Sequence, residues 1–235
     1  MFGLFKSKPI YDKFYEEHKL SGSSERLLSI GALLAEANQA RDSVTLKSRW
    51  PAKDLAGLLG QSWQIFNKQD TVSLLEELLL LPSTGKNYPL IKHVIVERNA
   101  SGMPDVVKEL LLDGELYDHI DNYCGKIFTE KKMPVNEKTF DAIHDLAAWD
   151  IERAGLIARY AYNSGWLSQA EALNYLERLY AIVLNKYSGW QTYYLAFLKG
   201  RALFYDRDTN DSLEYIFTLK DLFSKEEYFC NRYIL

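Results

Sequence analysis

From residue 137 to residue 205 the chain places apolar residues at helical spacing with only two short breaks. No other feature limits the fold as much. Asn136 is positioned to cap a helix in which Phe140, Ile143, Ala147, Ala154, Ala158 and Ala161 recur, with Asp150 and Ile151 at the intervening turn. Gly165 follows where a left-handed terminator is favoured. Ser168-Gln169-Ala170-Glu171 has capping-box form: the hydroxyl can accept from the third backbone N–H, and the carboxylate can reach back. It opens a second helix with Ala172, Leu173, Leu176, Leu179, Tyr180 and Val183. A third begins after Ser188 and carries Trp190, Tyr194, Phe197, Arg201 and Phe204 at spacings of four and three. Short connections make 137–163, 169–187 and 189–205 an up-down-up three-helix unit.

The remainder also reads as helix. Segments are predicted at 10–19, 24–40, 52–60, 71–81, 88–98, 104–112, 115–130, 212–223 and 225–231. Pro51 suits the first turn of the 52–60 helix, Asp70 or Thr71 is placed to cap 71–81, and Pro82 stops it. Ser188-Gly189-Trp190-Gln191 and Ser224-Lys225-Glu226-Glu227 repeat the capping-box pattern. Only Leu90 to Val96, rich in β-branched residues, reads equally well as a short strand. No Asn-Gly or Asp-Gly hairpin lies between alternating runs, and no repeat is evident. The expected fold is all-α, an irregular multi-helix bundle built around the C-terminal three-helix unit. Residues 1–9 are expected to form a flexible N-terminus, and 10–235 one helical domain. A division into lobes 10–130 and 136–235, around Lys131 to Val135, is the alternative.

Composition narrows the function classes. The formal net charge is −4 and the pI about 5.7, so the surplus of basic side chains that neutralises phosphates in a general nucleic-acid binder is missing. No stretch approaches the roughly 18 consecutive apolar residues of a membrane span. The start, Met1-Phe2-Gly3-Leu4-Phe5-Lys6, lacks the long apolar core of a secretory signal, so a cytoplasmic location without stable membrane association is expected. Cys124 and Cys230 form no C-x-x-C pair and read as reduced thiols. His18, His93, His119 and His144 fall in no zinc spacing. The pairs Asp141/His144 and His93/Glu97, and His119 among Asp118 and Asp121, supply two ligands each where a site needs three or four. There is no P-loop, dinucleotide fingerprint or nucleophile elbow. No metal and no cofactor is expected, and no catalytic residue is assigned.

One polar constellation stands out. Asp150 sits beside Trp149 and one turn before Arg153, and Arg201 lies within the aromatic stripe of the third helix. Asp150 is expected to accept from Arg153, Arg201 or both, because a buried carboxylate without a partner costs several kcal/mol. Gly200 next to Arg201 is suited to close helix approach. With Arg159 and Tyr162, these residues form either a polar clamp that fixes helix register or a site for a phosphate or carboxylate ligand. Trp63, Trp149, Trp166, Trp190 and Phe197 are expected in aromatic packing.

Several of these residues also carry a resemblance. Trp149-Asp150-Ile151-Glu152-Arg153, Ala158-Arg159-Tyr160-Ala161-Tyr162, Gly165-Trp166-Leu167-Ser168 and Glu171-Ala172 resemble the bacterial domain of unknown function 1266 family, the YbeU/YbeR-like proteins. The family pattern is W-D-x-x-R, an aromatic-rich helix, G-aromatic-L-S-x-x-E-A, then S-W and G-R. Leu198-Lys199-Gly200-Arg201 fits the last part, while the usual S-W is interrupted here as Ser188-Gly189-Trp190. Trp63-Gln64-Ile65 and Thr71 to Leu81 are a weaker echo upstream. The resemblance implies an all-helical bacterial cytosolic protein and supplies no catalytic residues.

The functional expectation is a non-enzymatic protein that binds another protein, specifically an immunity or antitoxin-type protein that neutralises a toxin. It rests on the acidity, the failed search for catalytic motifs, and the C-terminal aromatics Tyr205, Tyr215, Phe217, Phe223, Tyr228, Phe229 and Tyr233. The alternatives are an enzyme or small-anion receptor with an Asp/Arg site between helices, and a homo-oligomeric scaffold.

Overall fold

The computed structural model describes residues 11–38, 43–84, 146–204, 209–224, 228–233 and 235. The helices expected at 88–98, 104–112 and 115–130, the start of 137–163, the N-terminal nine residues, and the His/Asp/Glu pairs near 93, 119 and 144 lie outside these residues. The described chain is all-α, and no strand occurs among the described residues.

Its elements are α1 (Lys13–His18), a 3₁₀ segment (Gly22–Ser29), α2 (Ala32–Ala37), α3 (Ala52–Trp63), α4 (Lys68–Leu79), a 3₁₀ turn (Pro82–Thr84), α5 (Ala147–Asn163), α6 (Gln169–Lys186), α7 (Trp190–Phe204), α8 (Thr209–Ser224) and α9 (Phe229–Arg232). Most local signals act as their chemistry dictates. Ser168 Oγ accepts from Glu171 N at 3.3 Å and the Glu171 carboxylate accepts from Ser168 N at 2.9 Å, closing the capping box of α6. Past α5, Gly165 N donates to Tyr162 O and Trp166 N to Ala161 O, the paired bonds of a Schellman terminator. Pro51 sits at the cap itself, one residue before the first turn of α3, whose Leu55 and Leu59 face inward.

Several boundaries differ from expectation. The segment 24–40 is not one helix: the 3₁₀ run ends at Ser29, and α2 starts anew after Gly31, which has φ +75°. The cause is tertiary. A Cβ on Gly31 would sit 2.6 Å from Leu156 N, and one on Gly155 would sit 2.8 Å from Gly31 N. Two backbones therefore touch where α5 passes the break, and the chain must turn there to let them. At α4 the cap is Asn67, which accepts from Asp70 N at 3.0 Å, so Asp70 lies inside the helix and instead accepts from Phe66 N and Asn67 Nδ2. The terminal helix begins at Phe229 behind a Tyr228 cap, and positions 225–227 of the expected 225–231 segment lie outside the described residues.

α5 is the axis of the fold. Every residue in it except Tyr162 is buried, and it packs against α2, α3, α4, α6, α7 and the Pro82–Thr84 turn. A helix covered on all sides needs small residues for close neighbours, and Ala147, Ala148, Ala154, Gly155, Ala158 and Ala161 supply them. One apolar core runs through both the 11–84 and the 146–235 portions, joining Leu28, Leu33, Leu55 and Leu75 to Ile157, Leu179, Tyr194 and Leu219. On α7, Tyr193 reaches Glu152 while Phe197 and Gly200 lie against Trp149, so α7 meets the N-terminal half of α5.

Candidate functional site

Because α5 is enclosed, its charged side chains are enclosed too. Asp150, Glu152, Arg153 and Arg159 are all buried, two acids and two arginines. Buried charges persist only when bonded, and each of these is. Asp150 accepts from Ser83 N at 2.8 Å, from Ser83 Oγ, and from Arg153 Nη2 in a short ion pair. Arg153 Nε donates to Trp149 O at 3.2 Å, and its guanidinium lies 4.6 Å from the Trp149 ring centre.

Glu152 accepts from Gly31 N at 2.9 Å, Leu34 N at 3.4 Å and Tyr193 Oη at 2.8 Å. It thereby supplies the N-terminal acceptor that α2 lacks in its own Gly31 cap. Burial pushes its carboxyl up to about 7, against the opposing pull of these donors and of the Arg159 charge. The same burial raises the Tyr193 hydroxyl well above its ordinary range, so it stays a donor.

Arg159 spreads its donors over main-chain oxygens: Nε to Ile30 O at 3.1 Å, Nη1 to Ser43 O and Thr45 O at 3.3 and 3.4 Å, and Nη2 to Leu28 O. One turn on, Asn163 accepts from Ser48 N and donates to Leu46 O, each at 2.8 Å. These two side chains hold segment 43–48 against the core.

Between α2, α3, α5, α7 and α8 lies a cleft of about 250 Å³. Arg153 and Arg201 both line it, and each guanidinium lies within 6 Å of the Trp149 ring centre. Arg201 lies 3.8 Å from the Tyr215 ring centre and 5.8 Å from that of Trp149. Leu34, Leu58, Leu156 and Trp63 form apolar wall, and Asn38, Ser62 and Tyr215 add uncharged polar groups. Among the described lining residues there is no carboxylate, imidazole or thiol. Among the described residues generally, no group of three His, Cys, Asp or Glu is placed to hold a metal, and no helix is long and apolar enough to cross a membrane.

The structure thus brings Arg153 and Arg201 to one cleft, with Asp150 behind Arg153. Arg159 points elsewhere, into the 28–45 carbonyls, and Tyr162 is half-buried with Lys47 Nζ 6.0 Å from its ring. Trp63 and Trp149 belong to the cleft wall. Phe197 packs on Trp149 and Tyr215 at 5.4 and 5.8 Å, Trp190 stacks on Tyr194 and donates to Tyr233 O, and half-buried Trp166 packs at the edge of the core. Glu152, Ser83, Asn163 and Tyr193 were not singled out by sequence reasoning. The density of Ala and Gly along α5 was the available signal, since a helix packed closely all round buries whatever polar residues it carries.

The uncharacterized protein YbeR of Escherichia coli (strain K12) is 29% identical over 83 residues, 35% of this chain and 34% of that protein, so the match spans about a third of the relative's length. No solved structure matches the chain. The sequence pattern of the family described as protein of unknown function (DUF1266) matches residues 58–231, a span containing α4 through α8 and most of the cleft wall, and the chain belongs to that family.

Proposed function

We propose that the protein is a cytosolic receptor for a small anion, bound rather than transformed in the cleft between α2, α3, α5, α7 and α8. The observation that carries this reading is the pair of arginines lining one cleft whose described residues include no acid. Guanidinium groups suit carboxylate and phosphate because their planar N–H edges match two oxygens at once. Arg153 is held in place by Asp150, Trp149 O and the Trp149 ring, so its orientation does not have to be found on binding. The described lining offers guanidinium donors, an amide and hydroxyls, and no carboxylate, imidazole or thiol for proton transfer or nucleophilic attack at neutral pH. Titration of the purified protein with millimolar acetate, inorganic phosphate and larger carboxylates, followed calorimetrically, tests the reading. Saturable binding that Arg201→Gln weakens is expected. Failure of every anion to bind overturns it.

A toxin-neutralising or otherwise protein-binding role is the second reading. Its charge argument stands, with the net −4. Its aromatic argument is weaker, because Tyr215, Tyr228 and Phe229 are buried, Phe223 and Tyr233 are half-buried, and only Phe217 of the described C-terminal aromatics is exposed. The homo-oligomeric scaffold loses the same support. Co-purification with the product of a neighbouring gene, and relief of that product's toxicity, is the test.

A further inference from the structure

We infer that Glu152 is a positioning residue for the cleft: it pins Leu34 when ionised and releases it when protonated, so that anion binding in the cleft is coupled to proton uptake. Its hold on the cleft wall stands on the contacts below, and the link to anion affinity rests on the receptor reading above.

Leu34 belongs to two places at once. Its amide donates to Glu152 Oε2 at 3.4 Å, and it forms apolar wall of the cleft. Asn38, which also lines the cleft, donates its main-chain N–H to Leu34 O at 3.1 Å, so the two wall residues move together. The start of α2 is held at two points. Gly31 is pressed backbone to backbone on Gly155 and has no room to shift. Three residues on, Leu34 is held by Glu152, which sits one turn before Gly155 on α5. The first contact is a pivot and the second a pin.

The pin depends on charge. An ionised carboxylate only accepts, and Glu152 accepts from Gly31 N, Leu34 N and Tyr193 Oη. A protonated carboxyl carries a hydroxyl that donates, and it serves three donors poorly. Gly31 N stays because its backbone is fixed, and Tyr193 Oη is close at 2.8 Å. The proton therefore goes to Oε2, whose bond to Leu34 N is the longest of the three, and Leu34 is let go. Burial holds this carboxyl at about 7, so both states are reached near neutrality.

The groups around Glu152 keep one charge state there. From α7 it meets Tyr193 and then Tyr194, both pushed well above the ordinary range by burial. Tyr187 and Cys230 stand behind these tyrosines, and burial pushes the thiol up to about 12. On α5 the charge that reaches it is Arg159, while Asp150 and Arg153 pair with each other. α2 carries Glu36, whose carboxylate accepts from Ser43 Oγ and Tyr228 Oη. The 3₁₀ segment carries Glu25, bonded by Tyr15 and Tyr233, and Arg26, which lies over Tyr180. The sign of the coupling follows. An anion drawn to Arg153 comes near the adjoining Glu152 in a partly desolvated place, where an ionised carboxylate repels it and a neutral one does not. Affinity therefore rises as pH falls through the Glu152 midpoint, and a bound anion raises that midpoint in return.

The test uses the full chain, labelled with nitrogen-15, from about pH 5.5 to 8.5. The Leu34 amide and the Trp63 indole are followed by magnetic resonance, and acetate, which keeps one charge throughout, is titrated calorimetrically. The expected result is one shared midpoint for both signals, and acetate binding about fivefold tighter at the acid end. Glu152→Gln imitates the neutral state, so it should hold the acid-end affinity at every pH. Tyr193→Phe withdraws a donor that pulls the carboxyl down, so it should move the midpoints of both signals and of acetate affinity upward together, and it decides the matter even where the Gln variant does not fold. A Leu34 amide that titrates while the Trp63 indole stays still overturns the positioning role. So does an acetate affinity that ignores pH, a pH profile that survives Glu152→Gln, or midpoints unmoved in Tyr193→Phe; each of these leaves the anion receptor standing. Absence of acetate and inorganic phosphate binding, with Leu34 and Trp63 titrating together, overturns the receptor reading and the proton-coupled binding, and supports the hold of Glu152 on the wall.

Discussion

Replacing Glu152 by Gln changes how the stability of the protein depends on pH. Burial holds the Glu152 carboxyl at about 7 in the folded chain, against an ordinary value of 4.5. Below about pH 4.5 both the folded and unfolded chains carry the proton. Between 4.5 and 7 the folded chain keeps it and the unfolded chain has released it, so folding is favoured by proton binding. As pH rises through 7 the folded chain must ionise a carboxyl in its interior, and that contribution is lost. A difference of roughly 2.5 pKa units corresponds to about 3 kcal/mol. Other carboxylates work in the opposite sense. Glu171 is held down to about 2 by Lys68 and the Ser168 donors, and Arg178 and Arg49 lower Glu76 and Asp12. Their stabilisation is present above the unfolded values and is lost as pH falls. Both proteins share these groups, so subtracting one pH profile from the other removes them. The Gln variant keeps an oxygen for Gly31 N and Tyr193 Oη but turns an amide toward Leu34 N, a fixed penalty of about 1–3 kcal/mol at every pH. The shape of the difference curve is therefore diagnostic and its level is not. Urea unfolding followed by circular dichroism, in steps from about pH 4.5 to 8, should show wild type losing about 3 kcal/mol relative to Glu152→Gln. A flat difference curve, or one that rises in favour of wild type, refutes the reasoning.

Three further outcomes are expected. Asp150→Ala removes the buried acceptor of Ser83 N and the ion-pair partner of Arg153 and should cost about 3–5 kcal/mol in urea unfolding; a loss below about 1 kcal/mol would mean that the Arg153 charge finds water instead. Gly155→Ala forces a methyl to within 2.8 Å of Gly31 N and of Ile30 Cγ2, so about 1–3 kcal/mol of destabilisation is expected, with faster amide exchange at 30–34 as the local signature. Ser168→Ala opens the capping box of α6 and should lower stability by about 1 kcal/mol while leaving ligand affinity unchanged, since Ser168 does not line the cleft.

Features that depend on neighbours within one turn were legible in the sequence. Ser168 and Glu171 stand three apart and cap α6; Gly165 closes α5 by bonds within six residues; Asp150 and Arg153 are one turn apart and pair. Where the partner is distant, the sequence carries no local trace of it. Residues 24–40 are periodic enough for one helix, and only contact with Gly155, more than a hundred positions later, breaks them at Gly31. Glu152 reads as one more polar residue on a helix until α2 and α7 close over it. Ser83 looks like loop chemistry until it meets Asp150 across 67 positions. Arg201 could be placed in an aromatic stripe from spacing alone. That its ring neighbours include Tyr215 and Trp149, and that Arg153 lines the same cleft, follows from how α5, α7 and α8 pack together.

The way α5 grips segment 43–48 has a consequence for how relatives of this chain can diverge. Arg159 and Asn163 read carbonyl oxygens and an amide hydrogen, which every residue except proline presents alike, and they ignore what the side chains spell. The path of the main chain through 43–48 is therefore what the two readers fix, while the buried Ser43, Thr45, Leu46 and Ser48 side chains answer to contacts of their own. In distant homologues this predicts an arginine and an asparagine four residues apart wherever that path is kept.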